Sequence, residues 1–304
     1  MTLHVLPLLH AASDGAAALD LQIAGAAAVV MIVVIAGIWV PAPRVVADAR
    51  QRAHLPQPTL LWPIAAAWTL AVVAQAVGRA GELHHGQLIN RSISPWIGLI
   101  LFLVAWQVMI AAMMLPSSLP FIRLFNRTAA SQPHANIVRG VFLAGYAFVW
   151  TAFGALAFGG DVVVHYGVDH WEWLGTRTWL IGGSVLVLAG AFQFTDLKQR
   201  CLSECRHPGA FLLNRYRRGA GEAFRIGREH GLFCLGCCWA LMLVAFAVGV
   251  ANLAWMAALT LLMVFEKTGR SGERGVVPIG LGLVALAVLV LLHPGWMPTL
   301  FNAQ

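Results

Sequence analysis

The chain has 304 residues, of which 59% are apolar and only 11% are charged. A soluble globular protein carries about 25% charged residues, so this composition argues against a water-soluble enzyme and against a nucleic-acid-binding module, despite the formal charge of +7. With a mean hydropathy of +0.75, the composition instead predicts an all-α fold, a polytopic transmembrane helical bundle.

Several apolar runs approach the length of about 20 residues that a helix needs to cross a bilayer. In chain order they are Leu21–Val40, Leu60–Val77, Trp96–Leu115, Gly140–Gly160, Thr178–Thr195 and Val276–Leu292. A longer run, Leu232–Phe265, would extend roughly 50 Å as one helix, which exceeds a hydrocarbon core of about 30 Å. Gly249-Val250-Ala251-Asn252 lies at its middle, and Gly and Asn are weak helix formers, so we expect either two short passages or one broken, tilted helix. The total is then about seven or eight passages.

The distribution of Lys and Arg favours eight passages with the N-terminus outside, because basic residues are retained on the cytoplasmic side. Of all the Lys and Arg residues, only Arg79, Arg91 and Arg177 lie outside in that topology. If the long run crossed once, the group Lys267–Arg274 would move outside as well. We therefore expect a multi-pass protein of the bacterial inner (cytoplasmic) membrane.

No repeat or linker divides the chain, and residues 1–304 are predicted to form a single integral membrane domain. The polar segment 196–231 is predicted to be cytoplasmic or interfacial. Its part Leu212–Gly231 mixes basic and aromatic residues, which is typical of a helix resting on anionic headgroups, although its glycines also allow two short pieces. Asp196, Lys198 and the pair Glu266–Lys267 are interpreted as anchors at the interface. The lipid bilayer is the expected partner, and no binding of nucleic acid is expected.

All the cysteines fall within one short stretch of the chain: Cys201, Cys205, Cys234, Cys237 and Cys238. The first two are spaced i, i+4, and a helix would place both sulfurs on one face; His207 follows two residues later. In the second group, His230, Cys234, Cys238 and Met242 recur every four residues, so that one helical face carries an imidazole, two thiols and a thioether.

Soft thiolate and thioether donors select Cu(I) or Zn(II), and imidazole suits both metals. A single cysteine is most simply a small buried hydrophobic residue, but the clustering flanked by histidines favours a metal site. The spacing is not that of a zinc ribbon, and the methionines favour copper. We therefore expect Cu(I) as the metal, with zinc as the alternative.

A methionine group precedes a proline in the third apolar run, at Met109, Met113 and Met114. Methionine is ordinary filling in an apolar helix. Pro116 lacks a backbone donor and predicts a helix end or kink, whose freed carbonyls Ser117 or Ser118 would satisfy. In the preferred topology these methionines, both cysteine groups and Met263 all fall on the cytoplasmic side, where a metal site could form.

Three blocks of this sequence resemble a bacterial family of predicted metal-binding integral membrane proteins, a domain family of unknown function. The resemblance covers about Trp96–Thr268. The first block runs from Trp106 through Met109, Met113 and Met114 to Pro116 and Ser117. The second block runs from Leu197 through Cys201 and Cys205 to Pro208. The third block runs from His230 through Cys234-Leu-Gly-Cys237-Cys238-Trp239, Met242, Asn252 and Met256 to Lys267. The resemblance implies metal binding but no established substrate. Ala251 stands where the family's pattern has methionine, which removes one possible ligand.

Three functions compete on these observations. The first is a membrane copper-binding protein that sequesters Cu(I) or delivers it to a partner or metalloenzyme, with cysteine thiolates as primary ligands, His230 or His207 completing the coordination, and Met109, Met113 and Met242 as a weaker path. The second is a quinone-linked thiol-disulfide oxidoreductase, for which a cytoplasmic, reducing location is unfavourable. The third is a metal transporter or an accessory subunit of a larger membrane complex.

Overall fold

The computed structural model describes residues 58–76, 95–177, 179–247, 253–269 and 271–293, and every regular element in these ranges is helical. The helices are α1 (Pro58–Ala76), α2 (Pro95–Ala129), α3 (Ala135–His170), α4 (Glu172–Gly175), α5 (Trp179–Phe192), α6 (Asp196–Arg206), α7 (Pro208–Arg215), α8 (Ala220–Ala247), α9 (Leu253–Thr268) and α10 (Gly272–Leu292). The all-α prediction is confirmed for this part of the chain.

Fewer helices than predicted are long and apolar enough to cross a membrane. Within the described ranges α2, α3, α8 and α10 meet that test, and α5 with α6 would make a fifth span if this pair, bent by 66°, counts as one. The prediction of seven or eight passages therefore does not hold for these residues. The apolar part of α1 is short, and α9 has 16 residues, roughly 24 Å of helix. Leu21–Val40 lies outside the described residues.

Within the described residues the long apolar run contributes to two helices, α8 up to Ala247 and α9 from Leu253. The predicted break at Gly249–Asn252 lies outside the described residues. α8 also extends further toward the N-terminus than the apolar run, because it begins at Ala220 and passes through His230 without interruption. The polar segment 196–231 thus forms α6, α7 and the first turns of α8, joined through Gly219 at a φ of 110°.

Of the helix end or kink predicted at Pro116, the helix end is wrong, because α2 continues through both Pro116 and Pro120 to Ala129. A proline leaves the carbonyl four residues earlier without its helical donor. That carbonyl belongs to Ala112, and it accepts a hydrogen bond of 3.0 Å from Trp68 Nε1 on α1. Ser117 Oγ instead donates to the carbonyl of Met114 at 2.9 Å. The neighbouring helix therefore supplies the bond that the proline removes.

Helix α8 lies at the centre of the bundle, packed against α3, α5, α6 and α9. Its contact with α3 is close because glycines leave room for the facing backbone. A Cβ at Gly227 would collide with the carbonyl of Phe142, and a Cβ at Gly145 would collide with the carbonyl of Phe224. Small residues that let backbones approach are the usual device for helix packing in membranes.

The outer surfaces of the long helices expose large apolar side chains, as expected for contact with lipid. Examples are Ile100 on α2, Leu156 and Val163 on α3, and Leu281 on α10. Inside, one continuous apolar cluster contains Met109, Met113, Met114 and Met242 together with the buried cysteines. The candidate ligands thus lie in the interior of the bundle and not on its surface.

Candidate metal centre

Three cysteine side chains on α8 are fully buried and close together. The thiols of Cys237 and Cys238 donate to the carbonyl of Cys234 at 3.1 and 2.8 Å. Cys234 and Cys238, four residues apart, are also within side-chain hydrogen-bonding reach of each other. The Cys238 sulfur lies 3.7 Å from the Met114 sulfur on α2. Two thiols and one thioether from two helices therefore approach one another in the core.

The Cys234 sulfur is surrounded by polar groups from three other helices. Tyr146 Oη on α3 lies at 3.2 Å, Ser118 Oγ on α2 at 3.9 Å, and Lys267 Nζ on α9 at 3.1 Å. The same Lys267 ammonium donates to Ser117 Oγ at 3.1 Å. Four helices thus meet at this sulfur, in a region where polar groups carry a high desolvation cost unless they are paired.

Helix α6 brings the other cysteine pair to the same place. Cys205 lies within side-chain hydrogen-bonding reach of Cys237. The Cys201 sulfur packs against the backbone of α8, since a Cβ built on Gly236 would lie only 2.5 Å from it. All five cysteines are free thiols. The two groups that are separated in the sequence therefore form one cluster.

A buried ion pair fixes α6 to α9 beside this cluster. Lys198 Nζ, fully buried, donates to Glu266 Oε2 at 2.6 Å, and the Glu266 side chain is only 2% exposed. Arg206, at the end of α6, donates to the main-chain carbonyls of Glu266 and Gly269. Burial raises the pKa of the Glu266 carboxyl, and Lys198 opposes that shift. The helix carrying Cys201 and Cys205 is thus held at both ends.

The interpretation of the charged residues as interface anchors is wrong for Lys198, Glu266 and Lys267, because all three are buried; Asp196 is exposed, as expected. Burial lowers the pKa of Lys267, but the neighbouring cysteine side chains, Cys234 above all, raise it by more, and the net shift is well above the ordinary value. These residues take part in the cluster because the ends of α6 and α9 are covered by the rest of the bundle.

His230 lies one helical turn before Cys234 and is 2% exposed. Its ring stacks on Phe121, with 3.9 Å between ring centroids and 14° between ring planes, and it lies 5.6 Å from the Tyr146 ring. Neither ring nitrogen has a hydrogen-bond partner among the described residues. A buried imidazole without partners is a candidate ligand, since such groups are normally satisfied.

The other predicted ligands fall into two groups. His207 is exposed at the end of α6, where its Nδ1 lies 2.9 Å from the carbonyl of Ser203, so the structure does not bring it into the cluster. Met109, Met113 and Met242 are buried in the core that contains the cysteines. Among the described residues, no three side chains of the types His, Cys, Asp and Glu are grouped so as to hold a metal ion. A preformed four-ligand zinc centre is therefore not found in this part of the chain.

Sequence reasoning missed Tyr146, Ser118 and Lys267 as neighbours of Cys234. Tyr146 is one aromatic residue in an apolar run, and Lys267 ends another run, so both patterns have an ordinary structural interpretation. The one available signal was the charge of Lys267 at the end of the long apolar run. A serine after a proline, as at Ser118, is also common in membrane helices.

Comparison with known proteins identifies the family. The family model PpoB2, described as copper chaperone, matches residues 103–290. This is more than half of the chain, which therefore belongs to the copper chaperone family. No curated protein and no solved structure matches the chain. The expected relation to a metal-binding family is confirmed at this level, and copper is the metal that the family's description names.

Proposed function

We propose that this member of the copper chaperone family is a membrane-embedded protein that binds Cu(I) as cargo and holds it for a partner protein or metalloenzyme. The ligands are sulfur atoms in the core of the helical bundle, with Cys234 and Cys238 as the primary pair. Met114 supplies a third, weaker sulfur donor, and His230 is a reserve donor next to the pair.

The observation that carries this proposal is the approach of three sulfur atoms in a dry part of the core. Cys238 lies 3.7 Å from the Met114 sulfur and within reach of Cys234, and all three residues are at most 1% exposed. Soft thiolate and thioether ligands select Cu(I) among the common metals. Burial in an apolar shell also protects thiols from the oxidation that follows exposure.

Copper is favoured over zinc by the number of donors as well as by their type. Structural zinc sites are almost always tetrahedral with four protein ligands, whereas Cu(I) is stable with two thiolates in a linear arrangement. The described residues contain no group of three or more His, Cys, Asp or Glu side chains arranged for a metal. A cysteine pair with a nearby methionine therefore suits Cu(I) better.

Transfer to a partner requires a way out of the core, and α6 is the element that covers the cysteines of α8. Cys205 on α6 contacts Cys237 on α8, so movement of α6 would uncover Cys237. We propose that this end of the bundle faces the cytoplasm, as the distribution of basic residues predicts. Labelling of thiols by an impermeant reagent from each side of the membrane tests the orientation.

The test of the proposed function is Cu(I) binding by anaerobically purified protein, measured in competition with a chromophoric Cu(I) chelator. The double variant Cys234→Ser/Cys238→Ser should lose the tightly bound copper, because both thiolates are gone. Cys201→Ser is the matched control, since Cys201 packs on Gly236 and lies outside the proposed pair. An unchanged copper stoichiometry in the double variant would refute the proposal.

One observation supports a thiol oxidoreductase as the second candidate. Cys205 and Cys237, on different helices, are in side-chain contact, and such a pair can form a disulfide if the chain is oxidised. Reaction of the purified protein with a soluble quinone, followed by mapping of the disulfides, distinguishes the candidates. Turnover with a quinone would favour the enzyme, and its absence together with copper binding would favour the chaperone.

A further inference from the structure

Lys267 is a buried cation in direct contact with Cys234, one of the two primary ligands proposed for copper. Lys267 is only 6% exposed, and its ammonium makes hydrogen bonds of 3.1 Å to Cys234 Sγ and to Ser117 Oγ. An ammonium in an apolar core is strongly destabilising unless an anion compensates it. The identity of that anion determines the total charge that the site can accept.

The buried amines and carboxylates of the described residues do not balance one another. Apart from His230, Tyr146 and the cysteines, the buried ionisable side chains are Lys198, Glu266 and Lys267. Lys198 and Glu266 form an ion pair at 2.6 Å and cancel each other. The ion pairs found in the described ranges do not include Lys267, whose nearest acceptor other than a serine hydroxyl is the sulfur of Cys234. One positive charge is therefore left for the sulfur ligands to balance.

We propose that Lys267 is the counter-ion that sets the charge of the cargo, so that the site accepts a soft monovalent cation held by Cys234 and Cys238 and discriminates against divalent metals. This inference rests on the proposed function. A monovalent cation on two thiolates carries one negative charge, which Lys267 neutralises. A divalent cation on the same two thiolates is neutral, and the ammonium beside it remains uncompensated.

A divalent metal could restore the balance by recruiting a third thiolate, but the geometry disfavours this. The nearest further thiol is Cys237, which contacts Cys238 and Cys205 but donates to the carbonyl of Cys234 at 3.1 Å, and no group of three or more His, Cys, Asp or Glu donors is preformed in the described ranges. Recruiting Cys237 would break its hydrogen bond to the Cys234 carbonyl, and recruiting Cys205 would require α6 to shift against the Lys198–Glu266 pair. Lys267 thus acts through Cys234, as a specificity-determining residue that does not itself bind the metal.

The first test uses the unaltered protein loaded with Cu(I) under anaerobic conditions. Ag(I), which is soft and monovalent, should displace Cu(I) at near-stoichiometric concentration. Cd(II), which is equally thiophilic but divalent, should bind the same site roughly a hundredfold more weakly or worse, as expected for an uncompensated buried charge. Displacement of Cu(I) by Cd(II) as readily as by Ag(I) would overturn the inference without any substitution.

The second test compares Lys267→Met, which keeps the length of the side chain but removes the charge, with Lys267→Arg, which keeps the charge. In Lys267→Met, Cu(I) affinity should fall by roughly a hundredfold while Zn(II) affinity is unchanged or higher. Lys267→Arg should retain the preference for Cu(I) to within about tenfold. Equal losses for both metals in Lys267→Met would mean a merely structural role and would overturn the inference.

Failure of the inference and failure of the proposed function have different signatures. If the unaltered protein binds no Cu(I), or if Cys234→Ser/Cys238→Ser binds it normally, the proposed function fails and the inference falls with it. If copper binding depends on both cysteines but the ratio of Cu(I) to Zn(II) affinity is the same with lysine and methionine at position 267, only the charge argument fails. If Lys267→Met does not fold, the competition between Ag(I) and Cd(II) still decides.

Discussion

Gly236 is the residue whose replacement tests most directly how α6 and α8 build the cysteine cluster. A Cβ at this position would lie 2.5 Å from the Cys201 sulfur and 3.3 Å from the Cys201 Cβ. The sulfur would have to withdraw by roughly 1 Å to reach ordinary van der Waals contact. Because the obstructing atom is the end of a side chain, rotation of Cys201 about χ1 can relieve the clash without moving the helices.

The expected effect of Gly236→Ala on stability is therefore small. Alanine favours the helix over glycine by about 1 kcal/mol, and a displaced rotamer costs about 0.5–1.5 kcal/mol. These contributions nearly cancel, and the free energy of unfolding should change by less than about 1 kcal/mol. The position of the Cys201 sulfur should change much more, since its present place on α8 is occupied by the new methyl group.

Two other glycines provide matched comparisons. At Gly227 the obstructing atom is the backbone carbonyl of Phe142, which cannot rotate away, so Gly227→Ala should force α3 and α8 apart at a cost of about 1–3 kcal/mol. A Cβ at Gly282 meets no atom within 4 Å, so Gly282→Ala reports helix propensity alone. The order of stability should be Gly282→Ala, then Gly236→Ala, then Gly227→Ala.

The assay is thermal unfolding in detergent combined with mass spectrometry of alkylated cysteine peptides. Gly236→Ala should increase the alkylation of Cys201, which is otherwise 8% exposed, and Gly282→Ala should not. In a Cys201→Ala background the destabilising part of Gly236→Ala should largely disappear, a coupling of about 1 kcal/mol. Unchanged alkylation of Cys201, with no coupling between positions 201 and 236, would refute the packing of α6 on α8 described above.

Two further predictions concern buried polar contacts. Trp68→Phe removes the donor to the carbonyl of Ala112 and should destabilise the protein by about 1–3 kcal/mol in chemical unfolding. Trp150→Phe is the control, because the indole nitrogen of Trp150 has no partner among the described residues and no hydrogen bond is lost; equal effects of the two substitutions would contradict the role of Trp68. Lys198→Met and Glu266→Met should each destabilise by about 3–5 kcal/mol, because each leaves a buried charge alone, and the double variant should be more stable than either single variant; additive losses in the same assay would show that the pair is not coupled.

Helical periodicity was sufficient to predict which cysteines share a helical face, because residues four apart on α8 must lie on one side of it. Cys234 and Cys238 do approach each other in the structure. The contact between α6 and α8 could not be predicted in the same way, since it depends on the 66° bend between α5 and α6. The position of the break has a signature, because Thr195 caps α6 by accepting a hydrogen bond from the Lys198 backbone N–H, but no sequence feature specifies the angle.

The helix end at Pro116 and the exposure of Glu266 and Lys267 were mispredicted for a common physical reason. Hydropathy and proline rules describe one segment at a time, whereas the outcome depended on a neighbouring segment. The carbonyl of Ala112 is satisfied by Trp68 from another helix, which allows α2 to continue. Similarly, Glu266 and Lys267 have the sequence pattern of a solvated helix end, but Lys198 on α6, Ser117 on α2 and Cys234 on α8 contact them in the structure.

The close crossing of α3 and α8 explains how Tyr146 reaches the cysteine cluster. Gly227 and Gly231 lie on the face of α8 that meets α3, and a Cβ at Gly231 would already be 3.1 Å from the Cβ of Val149. With larger residues at these positions the helix axes would move apart by about 1–2 Å, toward the usual interhelical distance. Tyr146 Oη could then no longer lie 3.2 Å from Cys234 Sγ. The residues that determine the geometry of the candidate site are therefore, in part, glycines one and two turns before the cysteines, which contact no ligand themselves.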